Sequence, residues 1–201
     1  MKAAIIQYSP IWEEPHSNFK NLEIMFSKLQ PETEMVILPE MFNTGFSMKT
    51  RISENQNGAT LNWMKLQSKK FIIVGSLAIE ENNQFFNRLF VWRNGNLLGT
   101  YDKRKLFGMA KEDRIFTAGK SNLSLNITGY KFSFFTCYDL RFPEILRNIH
   151  EYDVAVIVAS WPEKRIEHWN TLLKARAIEN QSYVLACNRI GIDGNDIVYN
   201  G

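Results

Sequence analysis

The sequence predicts an α/β fold in which helices cover mixed β-sheets, and three observations lead there. Strand-like and helix-like segments alternate from end to end, the pattern of layered α/β domains. Two β-rich runs flank Asn94-Gly95-Asn96, a turn that makes an antiparallel hairpin and so excludes a purely parallel sheet. Val154 to Ala159 is wholly apolar, as expected of a strand covered on both faces. A single domain over residues 1–201 is expected, because 201 residues is only about 1.3 times the usual ~150 per domain. No repeat, low-complexity tract or linker divides the chain.

Each element follows from its own pattern. Ala3 to Ile6 reads as a strand. Pro15 to Leu29 reads as a helix, with Phe19, Leu22, Phe26 and Leu29 on one face. Met35 to Leu38 completes a β-α-β start. Thr60 is placed to cap a helix containing Leu61, Met64 and Leu66. Phe71 to Ile79 is a β-rich run broken by Gly75. Phe85 to Arg93 and Leu97 to Tyr101 form the hairpin. Lys105 to Gly119 loses all period and reads as a loop bordering a pocket. Leu123 to Ile127 and Lys131 to Thr136 are strands, and Pro143 to Ile149 is a short helix opened by proline. After the apolar strand, Trp169, Leu172, Leu173 and Ala177 mark a longer helix. Tyr183 to Cys187 is a further strand, and Ile197 onward begins another.

Composition narrows the function. Lys plus Arg exceed Asp plus Glu by 24 − 21 = 3, with the charges scattered, whereas a nucleic-acid binder concentrates basic residues on one face. The short basic runs Lys69-Lys70 and Lys103-Arg104-Lys105 do not change that reading. The two cysteines form no disulfide framework and lack zinc-ligand spacing, so neither a metal nor a cofactor is expected and a reducing, cytoplasmic setting fits. The longest apolar run falls far short of the roughly 20 residues that cross a bilayer. The expected partner is a small molecule, with no nucleic acid and no membrane.

Three residues stand out for chemistry. Cys137 ends an apolar strand at a strand-to-helix junction, where a side chain can project and backbone N–H groups face a substrate. The ordinary alternative is a small buried hydrophobe. A thiol of pKa about 8.5 needs a base or a nearby cation to act as a nucleophile. Glu40 lies at the end of the strand through Leu38, where α/β sheets gather ligand sites; a solvated loop glutamate is its alternative. Lys103 ends the strand through Tyr101 and supplies a cation; a solvated basic run is its alternative. Phe42 and Trp161 follow strand ends and are candidate pocket walls, with core packing as the competing reading. Arg141 and Arg189 could bind a substrate carboxylate bidentately, although a structural ion pair is preferred for Arg141. Arg176 and Glu179, three apart on a helix, are read as scaffold, and Cys187 as buried and inert.

Taken together, Pro39-Glu40, Tyr101-Asp102-Lys103 and Thr136-Cys137-Tyr138-Asp139-Leu140-Arg141-Phe142-Pro143-Glu144 resemble the three signatures of the nitrilase superfamily of carbon-nitrogen hydrolases. Ala159-Ser160-Trp161-Pro162, His168-Trp169, Ala175 to Gln181 and Cys187-Asn188-Arg189 look most like its omega-amidase branch, whose members hydrolyse side-chain amides of 2-oxo dicarboxylic acids. The resemblance implies an α-β-β-α sandwich with the family's last strands missing, the chain being C-terminally short. It implies a Glu40-Lys103-Cys137 triad with no cofactor. Glu40 would serve as base, Cys137 as nucleophile, and Lys103 with the Tyr138 backbone N–H as oxyanion donors. Glu112 matches a supporting acidic position beside the lysine, and His168 falls outside the triad. Relatives usually carry histidine where this chain has Lys105. The function implied is an amidase that cleaves a small omega-amide to the acid and ammonia through a cysteine thioester. The competing reading, prompted by Lys105 and the early end, is an impaired member that binds a metabolite or partner. Full-length relatives commonly form homodimers, which the missing segments leave open here.

Overall fold

The computed structural model describes residues 1–149 and 151–201. Its first sheet runs in the order β1 (Lys2–Ile5), β2 (Thr33–Ile37), β3 (Ile72–Glu81), β4 (Gln84–Arg93), β5 (Asn96–Asp102), parallel as far as β3 and antiparallel from β3 to β5. The second sheet runs β6 (Leu123–Ile127), β7 (Tyr130–Thr136), β8 (Val154–Ala159), β9 (Tyr183–Asn188), antiparallel for its first pair and parallel for the rest. A separate hairpin joins β10 (Ile190–Ile192) to β11 (Val198–Asn200).

Strand alternation builds three apolar layers. On β2, Met35 and Ile37 face inward and join Val74, Leu89 and Val91 against Phe132, Phe134, Val156 and Val158 of the second sheet. Val36, on the opposite pleat, faces outward with Ile73 and Leu77 beneath α1 (Pro15–Phe26) and α2 (Ala59–Gln67), which contribute Phe19, Leu22, Leu61 and Trp63. On β8, Val154, Val156 and Val158 belong to the inter-sheet layer, while Ala155, Ile157 and Ala159 pack outward with Leu146 and Trp169. Those two residues come from α3 (Pro143–Leu146) and α4 (Ile166–Asn180). The order of layers is therefore α-β-β-α. Both faces of β8 are apolar because both are covered.

Several boundaries differ from expectation, each for a local reason. The first helix ends at Phe26; short i to i+3 bonds carry the chain through Leu29, and Pro31 disfavours helical backbone at Gln30. Thr60 lies within the first turn of α2, and Glu54 supplies the cap, accepting from both the Thr60 backbone N–H (2.8 Å) and its hydroxyl. Gly75 does not break β3; it admits the Phe42 ring, since a Cβ there would come within 2.8 Å of it. α3 stops at Leu146, whose carbonyl accepts the Tyr152 hydroxyl. The hairpin turn has Asn94 and Gly95 at φ +51° and +77°, the left-handed pair that two-residue turns require.

Candidate active site

Glu40, Lys103, Cys137 and Ser160 lie just beyond the C-terminal ends of β2, β5, β7 and β8, so the sandwich brings together residues up to 120 positions apart. At the centre is the Lys103 ammonium, fully buried, 2.8 Å from Glu40 Oε1 and 2.8 Å from Glu112 Oε2. Asn87 on β4 donates from one amide nitrogen to Glu40 Oε1 (2.8 Å) and Glu112 Oε1 (3.1 Å). Glu40 Oε2 accepts the Ser160 backbone N–H at 2.9 Å, and Glu112 Oε2 accepts the Phe107 N–H at 2.6 Å. Each carboxylate is thus fixed by donors on both oxygens.

Cys137 begins a 3-10 turn, Cys137–Arg141, directly after β7. Its φ of +46° is a conformation that non-glycine residues adopt at some energetic cost and that clusters at functional sites. Hydrogen bonds to Asp139 and from Arg176 hold the turn in place. The Asp139 carboxylate accepts the Thr136 N–H (3.0 Å) and the Tyr101 hydroxyl (2.7 Å), and buried Arg176 donates twice to the Leu140 carbonyl (3.1 and 2.8 Å). Arg176 also pairs with Glu179 at 2.8 Å, in keeping with a scaffold role.

The electrostatics follow from one cation shared by two carboxylates away from water. Burial works against the Lys103 charge, but Glu112, Glu40 and Cys137 outweigh it and hold its pKa above the usual lysine range. Burial raises the Glu112 pKa, with the Glu40 charge adding and Lys103 opposing. The Cys137 thiol is pushed well above its ordinary value by burial and by Glu40, against the pull of Lys103 and the Ser160 N–H. The resting sulfur is therefore protonated, and an attack from it must hand its proton to a neighbouring base.

Cys137 lines a cavity of about 600 Å³, a volume suited to a small metabolite. Tyr138 and Trp161 are among its walls, with Phe46, Phe107, Arg141 and Tyr199. The Lys105 to Gly119 segment borders it through Phe107, Met109, Ala110 and Lys111. Two expected wall or ligand residues lie elsewhere. Phe42 is fully buried in the outer layer of the first sheet, packed on Trp63 with centroids 5.8 Å apart, because Gly75 opens room for it there. Arg189 is buried behind the wall, over the Tyr199 ring at 4.5 Å, donating to the Ile190 and Ile192 carbonyls. Arg141 has no carboxylate partner among the described residues; it lies over Trp161 and donates to His168 Nδ1 at 2.9 Å. Lys105 points away from the buried cluster to Glu144 (3.4 Å) and the Phe142 ring. Cys187 is buried between the sheets. Sequence patterns gave no sign of Asn87 or Ser160 as contacts of Glu40, since their roles rest on one amide and one backbone N–H brought in by distant strands.

The chain is similar to known proteins in both sequence and fold. The Carbon-nitrogen hydrolase family profile matches residues 2–201. Omega-amidase YafV of Escherichia coli (strain K12) is 37% identical over 203 residues, spanning 100% of this chain and 79% of that protein. The 2-oxoglutaramate amidase of Bacillus subtilis (strain 168) is 32% identical over 194 residues, spanning 92% and 75%. The crystal structure of XC1258 from Xanthomonas campestris, a CN-hydrolase superfamily protein with an arsenic adduct in its active site, superimposes with a TM-score of 0.95. It is 35% identical, over 98% of this chain and 78% of that one.

Proposed function

As this chain belongs to the carbon-nitrogen hydrolase family, we propose that it is an amidase that cleaves a small omega-amide, of the 2-oxo dicarboxylic class, with Cys137 as nucleophile. The observation that carries this reading is the Glu40-Lys103-Glu112 cluster set against a protonated cysteine at a cavity wall. As the Cys137 sulfur attacks the amide carbon, its proton passes to Glu40. The carbonyl oxygen becomes an oxyanion, which the Lys103 ammonium and the Tyr138 N–H stabilise. The proton held on Glu40 then goes to the amide nitrogen, the carbon-nitrogen bond breaks and ammonia leaves, with the acyl group remaining as a thioester. A water that gives its proton to Glu40 attacks the thioester carbon, and the carbon-sulfur bond breaks. The proton returns to sulfur, and one carboxylate has acted as base, acid and base again.

The substrate class is supported by the names of the similar proteins, Omega-amidase YafV and 2-oxoglutaramate amidase. Arg141 adds a cation at the cavity that has no carboxylate partner among the described residues, a partner for a substrate carboxylate. The impaired, binding-only reading is not favoured: Lys105 leaves the Lys103 cluster undisturbed. Ammonia release from a panel of omega-amides tests the proposal. Activity is expected to vanish in both Cys137→Ala and Glu40→Gln, and full activity in either would overturn these assignments.

A further inference from the structure

Lys103 and Cys137 sit on different sheets, and nothing in the reaction scheme above says what fixes the amine relative to the sulfur. One buried side chain bonds directly to both segments. Asp139 is fully buried, two residues beyond Cys137. Its Oδ2 accepts the Thr136 N–H (3.0 Å), immediately before Cys137, and the Tyr101 hydroxyl (2.7 Å), two residues before Lys103. Its Oδ1 accepts the Lys105 N–H (2.8 Å), two residues after Lys103. The carboxylate therefore grips the lysine-bearing segment on both sides of Lys103 and the cysteine-bearing turn at its start.

We propose that Asp139 is a positioning residue that sets the geometry between the Lys103 ammonium and the Cys137 sulfur by tying residues 101–105 to the turn at 136–139. It touches neither substrate nor sulfur in the scheme above; it acts through the two groups that do. The left-handed backbone at Cys137 makes such a tie necessary, because a strained residue persists only where its surroundings over-determine it. Three donors converge on one carboxylate with no cation in direct contact among the described residues, an arrangement that holds position by directional bonds. Burial raises the Asp139 pKa to about 6 against the Tyr101 and Thr136 donors and the Lys103 charge. A group kept at that desolvation cost is consistent with a geometric task that a neutral side chain would perform poorly. Asparagine at 139 would keep one acceptor but turn an N–H₂ group toward the Tyr101 and Thr136 donors or toward the Lys105 donor.

The inference rests on the amidase reading for its kinetic arm alone, and a second arm needs no substrate. Asp139→Asn and Tyr101→Phe are compared with the parent for kcat and KM on an omega-amide, for the rate of Cys137 alkylation by iodoacetamide followed by mass spectrometry, and for melting temperature. Expected are a fall in kcat of tenfold or more for Asp139→Asn and about threefold for Tyr101→Phe, with KM within twofold. Cys137 alkylation should slow by similar factors at full occupancy. A merely structural role would instead lower the melting temperature and the fraction of alkylatable protein while leaving kcat per reactive site and the alkylation rate within twofold of the parent; that result overturns the proposal. Should Asp139→Asn fail to fold, Tyr101→Phe alone decides by the same criteria. A parent that releases no ammonia from any amide would sink the amidase reading, and the alkylation contrast would still decide the role of Asp139.

Discussion

Removing Lys103 is the perturbation whose consequences the structure fixes most tightly. Its ammonium lies 2.8 Å from one oxygen of Glu40 and 2.8 Å from one of Glu112, and all three side chains are fully buried. Opposite unit charges at that separation attract by about 6 kcal/mol at an effective dielectric of about 20, offset by the cost of desolvating them. In Lys103→Met the two carboxylates stay buried with no cation between them, and breaking a buried pair in this way costs about 3–5 kcal/mol. At about 2–4 °C per kcal/mol for a chain of this size, the melting temperature at pH 8 is expected to fall by roughly 6–20 °C. The pH dependence has a definite sign. The folded variant must take up a proton to keep two adjacent carboxylates buried, so it binds more protons than its unfolded state above a pH of about 4.3. Its stability then drops as pH rises, and the gap from the parent widens between pH 5 and pH 8. Thermal unfolding at both pH values, by circular dichroism, measures this without reference to activity. A melting temperature within about 3 °C of the parent at pH 8, with a gap indifferent to pH, would refute the buried-triad electrostatics.

Other perturbations separate the site from its scaffold. Asn87→Leu removes the donor shared by Glu40 and Glu112; with hydrogen bonds to charged groups contributing about 1.5–3 kcal/mol, ammonia release should fall about 10- to 150-fold, and an unchanged rate would show the amide to be dispensable. Phe42→Ala should cost about 3–5 kcal/mol of stability in chemical denaturation while KM stays within twofold, because the ring packs on Trp63 and not on the cavity; a large KM effect with little loss of stability would return Phe42 to the pocket. The Asp139 pKa, raised to about 6 from 3.8 chiefly by burial, means that the folded state binds more protons between those values. The contribution of Asp139 to stability should therefore fall as pH rises from 4 to 6, so the stability of the parent relative to Asp139→Asn should decline over that range, with Tyr101 and Lys103 as the titratable groups facing it; parallel profiles would contradict the shift.

What the sequence disclosed depended on how local each signal was. Runs such as Val154 to Ala159 and the Asn94-Gly95 turn state their own geometry, because burial on both faces and left-handed φ each demand particular residue types. Glu40, Lys103 and Cys137 could be picked out by position at strand ends and by family resemblance, and the sheets do bring them together. Following a strand end does not reveal which face the Phe42 ring takes; Gly75, 33 residues away, decides that. Arg189 does not reach the cavity, since its guanidinium is held by nearby backbone carbonyls and by Tyr199 across the β10–β11 hairpin, partners that no sequence pattern announces. The Thr60 cap failed for a similar reason: hydroxyl and carboxylate compete for the same helix start, and the loop places Glu54 there first. Asn87 and the Ser160 N–H leave no sequence pattern at all, for an amide and a peptide group carry no distinguishing chemistry until the strands are assembled.

The most direct measurement of the central claim is mass spectrometry of the acid-quenched protein during turnover of an omega-amide. A thioester on Cys137 requires an adduct equal to the substrate minus ammonia on the peptide containing that residue, formed and lost at rates compatible with ammonia release. Turnover without any such adduct, continuing undiminished when Cys137 is replaced by alanine, would contradict it.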